Sequence, residues 1–146
     1  MAIGARCAAC RARKRRQSTA DCIGCGRVTT RSRAARRAPR IAAELFDTGV
    51  NMGPAVATTF LQRALTALNR NGKDYGDLTP DGRIGRVTLG APDGFLAARG
   101  KRGGETVLLR ALESLQGERY LRLAERRPAN EAFLYGWLTN RIGTTG

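Results

Sequence analysis

From Ile41 onward the large apolar residues recur at steps of three and four, and nowhere do they alternate over a sustained run. A period of 3.6 puts such residues along one side of a helix, whereas a half-buried strand needs a period of two. The body of this chain is therefore expected to be all-α, a small helical bundle. Ile41, Leu45, Phe46 and Val50 would share the buried face of a first helix, with Pro39 ahead of it. Gly53 breaks the pattern, and Pro54 suits the first position of the next helix, where its missing N–H would be unpaired anyway. Val56, Phe60, Leu61, Ala64, Leu65 and Leu68 carry that second stripe toward the helix stop Asn71-Gly72.

Residues 71–85 are rich in turn formers, including Thr79-Pro80-Asp81-Gly82 and Gly85. A short helical turn is expected at Val87–Leu89. Gly90 to Gly104 reads as a glycine-punctuated loop with at most a brief helix at Phe95–Arg99. A long helix follows from Glu105 to Arg126, with Val107, Leu108, Ala111, Leu112, Leu115 and Leu123 as its apolar positions and Gly117 as a weak point in its middle. Asn130 is the expected N-cap of a last helix that places Phe133, Leu134, Trp137 and Leu138 on one side and stops at Gly143. The tail 143–146 is expected to fray.

Charge divides the chain at residue 40. Residues 1–40 hold 12 of the 26 Lys and Arg against one acid, Asp21, a net of +11; the remaining 14 bases and 11 acids leave only +3 for the body. Too few large apolar side chains (Ile3, Ile23, Val28) stand in the first segment to bury a core, so a disordered basic arm is expected there. The arm also carries two C-x-x-C pairs, Cys7/Cys10 and Cys22/Cys25, with 11 residues between them. Four thiolates so spaced can hold one structural zinc tetrahedrally, and the surrounding arginines suit nucleic-acid phosphates. That makes a zinc-bearing nucleic-acid-binding arm the alternative function, although the segment has no aromatic ring on which a base could stack. A disulfide or redox pair, or a wrong reading frame or start in GC-rich DNA, would account for the same stretch. No run of apolar residues approaches the roughly 20 needed to span a bilayer, and neither a secretory nor a twin-arginine signal is visible.

Three motifs in the body go together. They are Phe46-Asp47-Thr48-Gly49-Val50-Asn51-Met52-Gly53-Pro54, then Leu61-Gln62, then Asp81-Gly82-Arg83-Ile84-Gly85-Arg86-Val87-Thr88-Leu89. With Tyr120 and the closing Phe133-Leu134-Tyr135-Gly136-Trp137-Leu138-Thr139-Asn140-Arg141, this series resembles the peptidoglycan-binding region of the glycoside hydrolase 108 family, the muramidases of phage endolysins and secretion-associated lysozymes. The resemblance runs from Ile41 to Ile142. It implies the C-terminal half of a lysozyme-like domain, a partner in cell-wall peptidoglycan, and a protein that leaves the bacterial cytoplasm to act at the periplasm or wall, by a route such as a holin pore. One departure is Arg86, where the family usually has Pro.

In the D-G-x-I-G turn, Ile84 is expected to plug the core and Thr88 to cap the next helix. Sugars are held by amide and carboxylate hydrogen bonds with an aromatic ring beneath the apolar sugar face. The candidate glycan contacts are therefore Asp47, Asn51, Gln62, Tyr120, Tyr135 and Trp137. Asp47 and Asn51 could equally brace helix ends, and Trp137 lies in an apolar stripe that suits a core residue. The family's catalytic glutamate lies in an E-G-G-like motif in the N-terminal part of the domain, and residues 1–40 contain no glutamate. A muramidase needs a carboxyl held protonated beside the glycosidic oxygen. Glu44, Glu105, Glu113, Glu118, Glu125 and Glu131 read as surface or helix-end residues. No catalytic residue is assigned, and without histidine the chain has no histidine-based acid–base, triad or metal chemistry.

Overall fold

The computed structural model describes residues 38–143. Residues 1–37 and 144–146 lie outside the described residues, and with them the expected zinc site of Cys7, Cys10, Cys22 and Cys25 and the nucleic-acid role suggested for that segment. The described residues form five α-helices and no strand: α1 Pro39–Met52, α2 Pro54–Leu68, α3 Arg86–Arg99, α4 Lys101–Arg126 and α5 Glu131–Arg141, with a 3₁₀ turn at Pro128–Asn130 before α5. The all-α expectation holds.

A single residue joins α1 to α2. Gly53 adopts φ +96°, and its N–H donates to the Gly49 carbonyl at 3.1 Å, closing α1 while Pro54 opens α2. The two helices fold back on each other, and the 26-residue α4 runs across α1, α2, α3 and α5. Between them lies one core, built from Ile41, Phe60, Leu61, Leu65, Phe95, Leu96, Leu108 and Leu112. Each such large side chain contributes ~1.5–3 kcal/mol by leaving water.

The connection from α2 to α3 is organised by polar side chains. Chain reversal after α2 uses three successive left-handed residues, Arg70, Asn71 and Gly72. The fully buried Asn69 holds this bend: its Nδ2 donates to the Tyr75 carbonyl at 2.6 Å and to Asp77 Oδ1 at 2.8 Å, and its Oδ1 accepts from the N–H groups of Asp74 and Tyr75. Tyr75 donates its hydroxyl proton to the Leu65 carbonyl at 2.6 Å, and burial pushes its phenol up to about 12. Thr66 pins Leu78 in turn, exchanging hydrogen bonds with both its N–H and its carbonyl.

Five sequence expectations are corrected by the packing. The stretch from Gly90 to Gly104 is not a loop: α3 continues to Arg99, and Gly100 at φ +80° is the only residue between α3 and α4. Its glycines are close-approach positions. A Cβ on Gly94 would lie 3.4 Å from Tyr75 Cδ1, and one on Gly104 would lie 3.2 Å from Leu96 Cδ2 and 3.4 Å from Phe95 Cε1. They let α3 sit tightly under α4 at the price of helix propensity. On α1 the buried line is Ile41, Glu44 and Thr48, with Val50 68 % exposed and Phe46 half-exposed. A polar partner on α4 makes that line possible, as described below.

Ile84 does not plug the core. It is only half-buried, and Leu78 is the residue this segment sends inward. Nor does Asn130 cap α5 with its side chain; its Nδ2 donates instead to the Leu123 carbonyl at 2.9 Å, tying the 3₁₀ turn to the end of α4. The end of α2 also comes three residues ahead of Asn71-Gly72, because Asn69 takes the turn's N–H groups.

Candidate functional site

The sequence-predicted site residues fall into two groups on different parts of the bundle. Asp47, Tyr120 and Trp137 come together where α1, α4 and α5 meet, with Asn51 one turn along α1 from Asp47, and Gln62 of α2 is bonded to the turn before α3.

At the first place, the buried Tyr120 on α4 stacks on Trp137 of α5, ring centroids 5.2 Å apart and planes 29° apart. Phe133, one turn earlier on α5, stacks on the same indole at 6.1 Å and 23°. Trp137 is thus half-buried in a three-ring row whose outer member, Phe133, is 59 % exposed. Beside the row, Arg141 Nη1 donates to Asp47 Oδ1 at 2.6 Å, fastening the end of α5 to α1. Burial raises the Tyr120 phenol pKa; Arg141 opposes this, and Asp47 and Glu44 add to it, which places all three charges within reach of the ring. Asn51 is exposed and donates Nδ2 to the Asp47 carbonyl of its own helix at 2.8 Å. Both polar candidates on α1 thus carry a structural bond and remain partly open to solvent. Tyr135, at 82 % exposure, takes no part in the stacked row.

Beneath this surface lies a group of polar residues that sequence reasoning missed. Glu44, only 1 % exposed, and Thr48 face the fully buried Gln116 of α4. The Gln116 amide donates Nε2 to Glu44 Oε1 at 3.0 Å and to the Arg141 carbonyl at 3.2 Å, while its Oε1 accepts from Thr48 Oγ1 at 3.1 Å. This orientation is the one that satisfies every partner; reversed, the oxygen would face only acceptors. One buried amide thus links α1, α4 and the end of α5, and a satisfied polar link of this kind fixes how elements register. Glu44 is therefore not a surface residue. Glu105 is also buried, and because α4 begins at Lys101 it does not open its own helix as the sequence suggested; it serves another helix N-terminus. That terminus is the one of α1, where its Oε1 accepts from Arg40 N–H at 3.2 Å. A signal for the first link was present in the sequence: Gln116 stands four residues before Tyr120, on the same face.

The second place is the turn Asp81–Gly85. Gln62, 2 % exposed, staples it to α2: Nε2 donates to Asp81 Oδ1 at 2.8 Å, to the Arg83 carbonyl at 3.0 Å and toward Thr88 Oγ1 at 3.4 Å, and Oε1 accepts from Gly82 N–H at 3.0 Å. Gly82, at φ +69°, must be glycine: a Cβ there would stand 3.0 Å from the Ala55 carbonyl oxygen and 3.2 Å from Thr59 Oγ1. Thr88 is buried in the first turn of α3, and its Oγ1 reaches the Arg83 carbonyl at 3.5 Å rather than capping the helix. Between the turn and α3 opens a cleft of about 370 Å³, whose rim includes Asp77, Asp81, Arg83, Arg86 and Val87.

The Asp81 carboxylate also accepts from Arg83 N–H at 2.8 Å. That bond first, and the Gln62 amide second, hold its pKa below the usual carboxylate range. A folded-state pKa below the unfolded value means that the turn gains stability from ionised Asp81 above about pH 4 and loses it as pH falls through the folded value. The loss of stability between pH 6 and pH 3, followed by urea unfolding, is expected to be smaller in Asp81→Asn than in the native chain. Equal acid sensitivity in the two would show that Asp81 holds nothing.

None of the described helices is long and apolar enough to cross a membrane, and no group of three or more potential metal ligands occurs among the described residues. Among curated proteins no match is found. The family model of the predicted peptidoglycan domain matches residues 56–142, from the middle of the first turn of α2 to the residue after α5. That span takes in Gln62, the Asp81–Gly85 turn, Gln116, Tyr120 and Trp137, more than half of the chain, and the chain therefore belongs to the predicted peptidoglycan domain family.

Proposed function

We propose that the helical body binds the glycan of peptidoglycan at the junction of α1, α4 and α5, as the wall-binding part of a muramidase- or endolysin-type protein, and does not itself hydrolyse it. Membership of a peptidoglycan family carries this reading. The aromatic row supports the place: the half-buried Trp137 and the exposed ring of Phe133 lie beside the Asp47–Arg141 pair, the mixture of apolar surface and charged hydrogen-bonding groups that a sugar needs. Asp47 and Asn51 are the polar contacts of the site, Tyr120 backs the indole, and Gln62 acts at a distance by holding the turn. The link to glycoside hydrolase 108 muramidases and action at the periplasm or wall come from the motif resemblance.

The two buried glutamates support the non-hydrolytic reading. Glu44 is closed off from solvent against Gln116, and Glu105 is engaged with the start of α1. Neither has the open approach to a glycosidic oxygen that an acid catalyst requires, and a general acid is worth roughly 10²- to 10⁴-fold in rate.

In co-sedimentation with teichoic-acid-free sacculi at about 0.3 M salt, where charge attraction is screened, the chain is expected to stay bound. Trp137→Leu is expected to weaken that binding about tenfold, given the value of ring contacts, with unchanged far-UV circular dichroism as the check on folding. Binding only at low salt would reveal charge attraction in place of recognition. Release of reducing sugar above the blank would overturn the non-hydrolytic reading, and Glu44→Gln and Glu105→Gln would then identify the acid.

A further inference from the structure

The cleft beside the Asp81–Gly85 turn is separate from the aromatic row, and its charges are unevenly used. Asp81 Oδ1 is occupied by Gln62 Nε2 and by Arg83 N–H, and Asp77 Oδ1 is occupied by Asn69. One oxygen of each rim acid is thus held by the fold. Arg83 is close enough to depress the Asp81 pKa, yet neither its guanidinium nor that of Arg86 forms a hydrogen bond or ion pair with a described residue. Both side chains are exposed at the mouth of the cleft. Next to them Val87 is 65 % exposed and Ile84 half-exposed, so methyl surface adjoins the two cations.

We propose that this cleft binds the peptide stems of peptidoglycan, with Arg83 and Arg86 holding a stem carboxylate and Val87 and Ile84 lying against alanine methyls. The proposal rests on the peptidoglycan reading above and adds a second chemistry to it. A guanidinium matches a carboxylate with two parallel N–H donors, and charge-assisted bonds of this kind are the stronger class. Phosphate of a teichoic acid would satisfy the same guanidiniums. The stem is favoured because only it sets methyl groups beside its carboxylates, as the rim sets Val87 and Ile84 beside its arginines.

The test uses the full chain and three preparations of one wall: teichoic-acid-free sacculi, the same sacculi after an amidase has removed the stems and the lactyl carboxylates so exposed have been capped as methyl amides, and sacculi that retain teichoic acid. The double variant Arg83→Gln, Arg86→Gln is expected to bind teichoic-acid-free sacculi about tenfold more weakly than the native chain, the size expected for lost hydrogen bonds to a charged group. Native chain and double variant should bind the stem-free glycan equally, at the weaker level. Since both side chains are exposed, the variant should keep its far-UV circular dichroism; Arg83→Lys, Arg86→Lys, which keeps the charge and loses the fork, should fall between the two. Unchanged binding of the double variant to teichoic-acid-free sacculi would overturn the stem site, as would equal native affinity for intact and stem-free walls. So would a loss confined to sacculi with teichoic acid, which would assign the arginines to phosphate. In each of these cases binding to stem-free glycan leaves the glycan reading standing, whereas failure of the native chain to bind any preparation removes both.

Discussion

Phe95→Ala is expected to destabilise the protein by about 3–5 kcal/mol, the range for emptying a buried aromatic site. Phe95 is 1 % exposed at the centre of α3, in contact with the core that Leu65, Leu108 and Leu112 build from the other helices. A domain of this size is held by only about 5–15 kcal/mol in all, so such a loss would bring it close to unfolding at ambient temperature. Thermal and urea unfolding of the variant measure the effect directly. A loss under about 1 kcal/mol would mean that residues 86–99 do not pack as described.

That helix is also where sequence reading failed, and the reason is physical. Gly90, Pro92, Gly94, Gly100, Gly103 and Gly104 are the residues that ordinarily break helices, so local propensity argued for a loop. Packing overrode it. Gly94 and Gly104 admit Tyr75, Phe95 and Leu96 at distances that a side chain would obstruct, and Pro92, itself buried, is accommodated inside α3. Where residues were apolar and regularly spaced, as in α2, the reading succeeded, including Pro54 at the helix start and Gly53 before it. On α1 it was right about Ile41 and Leu45, which face the core, and wrong about Phe46 and Val50, which do not. Apolar residues were assumed to define the buried face, and the partner that makes Glu44 and Thr48 buriable, Gln116, is 68 residues from Thr48 in sequence. The same limit applies to the candidate site. Tyr120 and Trp137 were both recognisable as aromatic candidates, but their stacking on each other, and the pairing of Asp47 with Arg141 across 94 residues, are properties of how α4 and α5 return to α1. Gln62 stood out by its place in a motif, and its four partners show a role in holding the turn.

Gln62→Met is expected to cost about 2–4 kcal/mol, because it keeps the volume and removes every hydrogen bond, leaving the Gly82 N–H and the Arg83 carbonyl without their partner. Gln62→Glu is expected to be at least as costly at neutral pH: a carboxylate cannot donate to Asp81, and it sets a second negative charge 2.8 Å from that residue's Oδ1 position. Acidification should then narrow the difference between the Glu and Met variants, as the introduced carboxyl gains a proton. Urea midpoints at pH 7 and pH 4 provide the comparison. If Gln62→Met fell within about 0.5 kcal/mol of the native chain, the turn would be held by its glycines and by Leu78 alone, and the amide would be a bystander.

The last helix has no buried residue along its whole length. It is attached through the indole of Trp137, the Arg141–Asp47 ion pair, and the bond from Gln116 to the Arg141 carbonyl. Attachment of that kind sets a hierarchy of opening: α5 can leave the bundle in a local excursion that leaves the Leu65–Phe95–Leu108 core closed, and so at a lower free energy than global unfolding. A glycan lying on the aromatic row would bear on the most easily displaced element of the fold. It would slow amide exchange in α5 before it changed the melting temperature, so that occupancy of the surface is read as a damping of motion rather than a gain in overall stability.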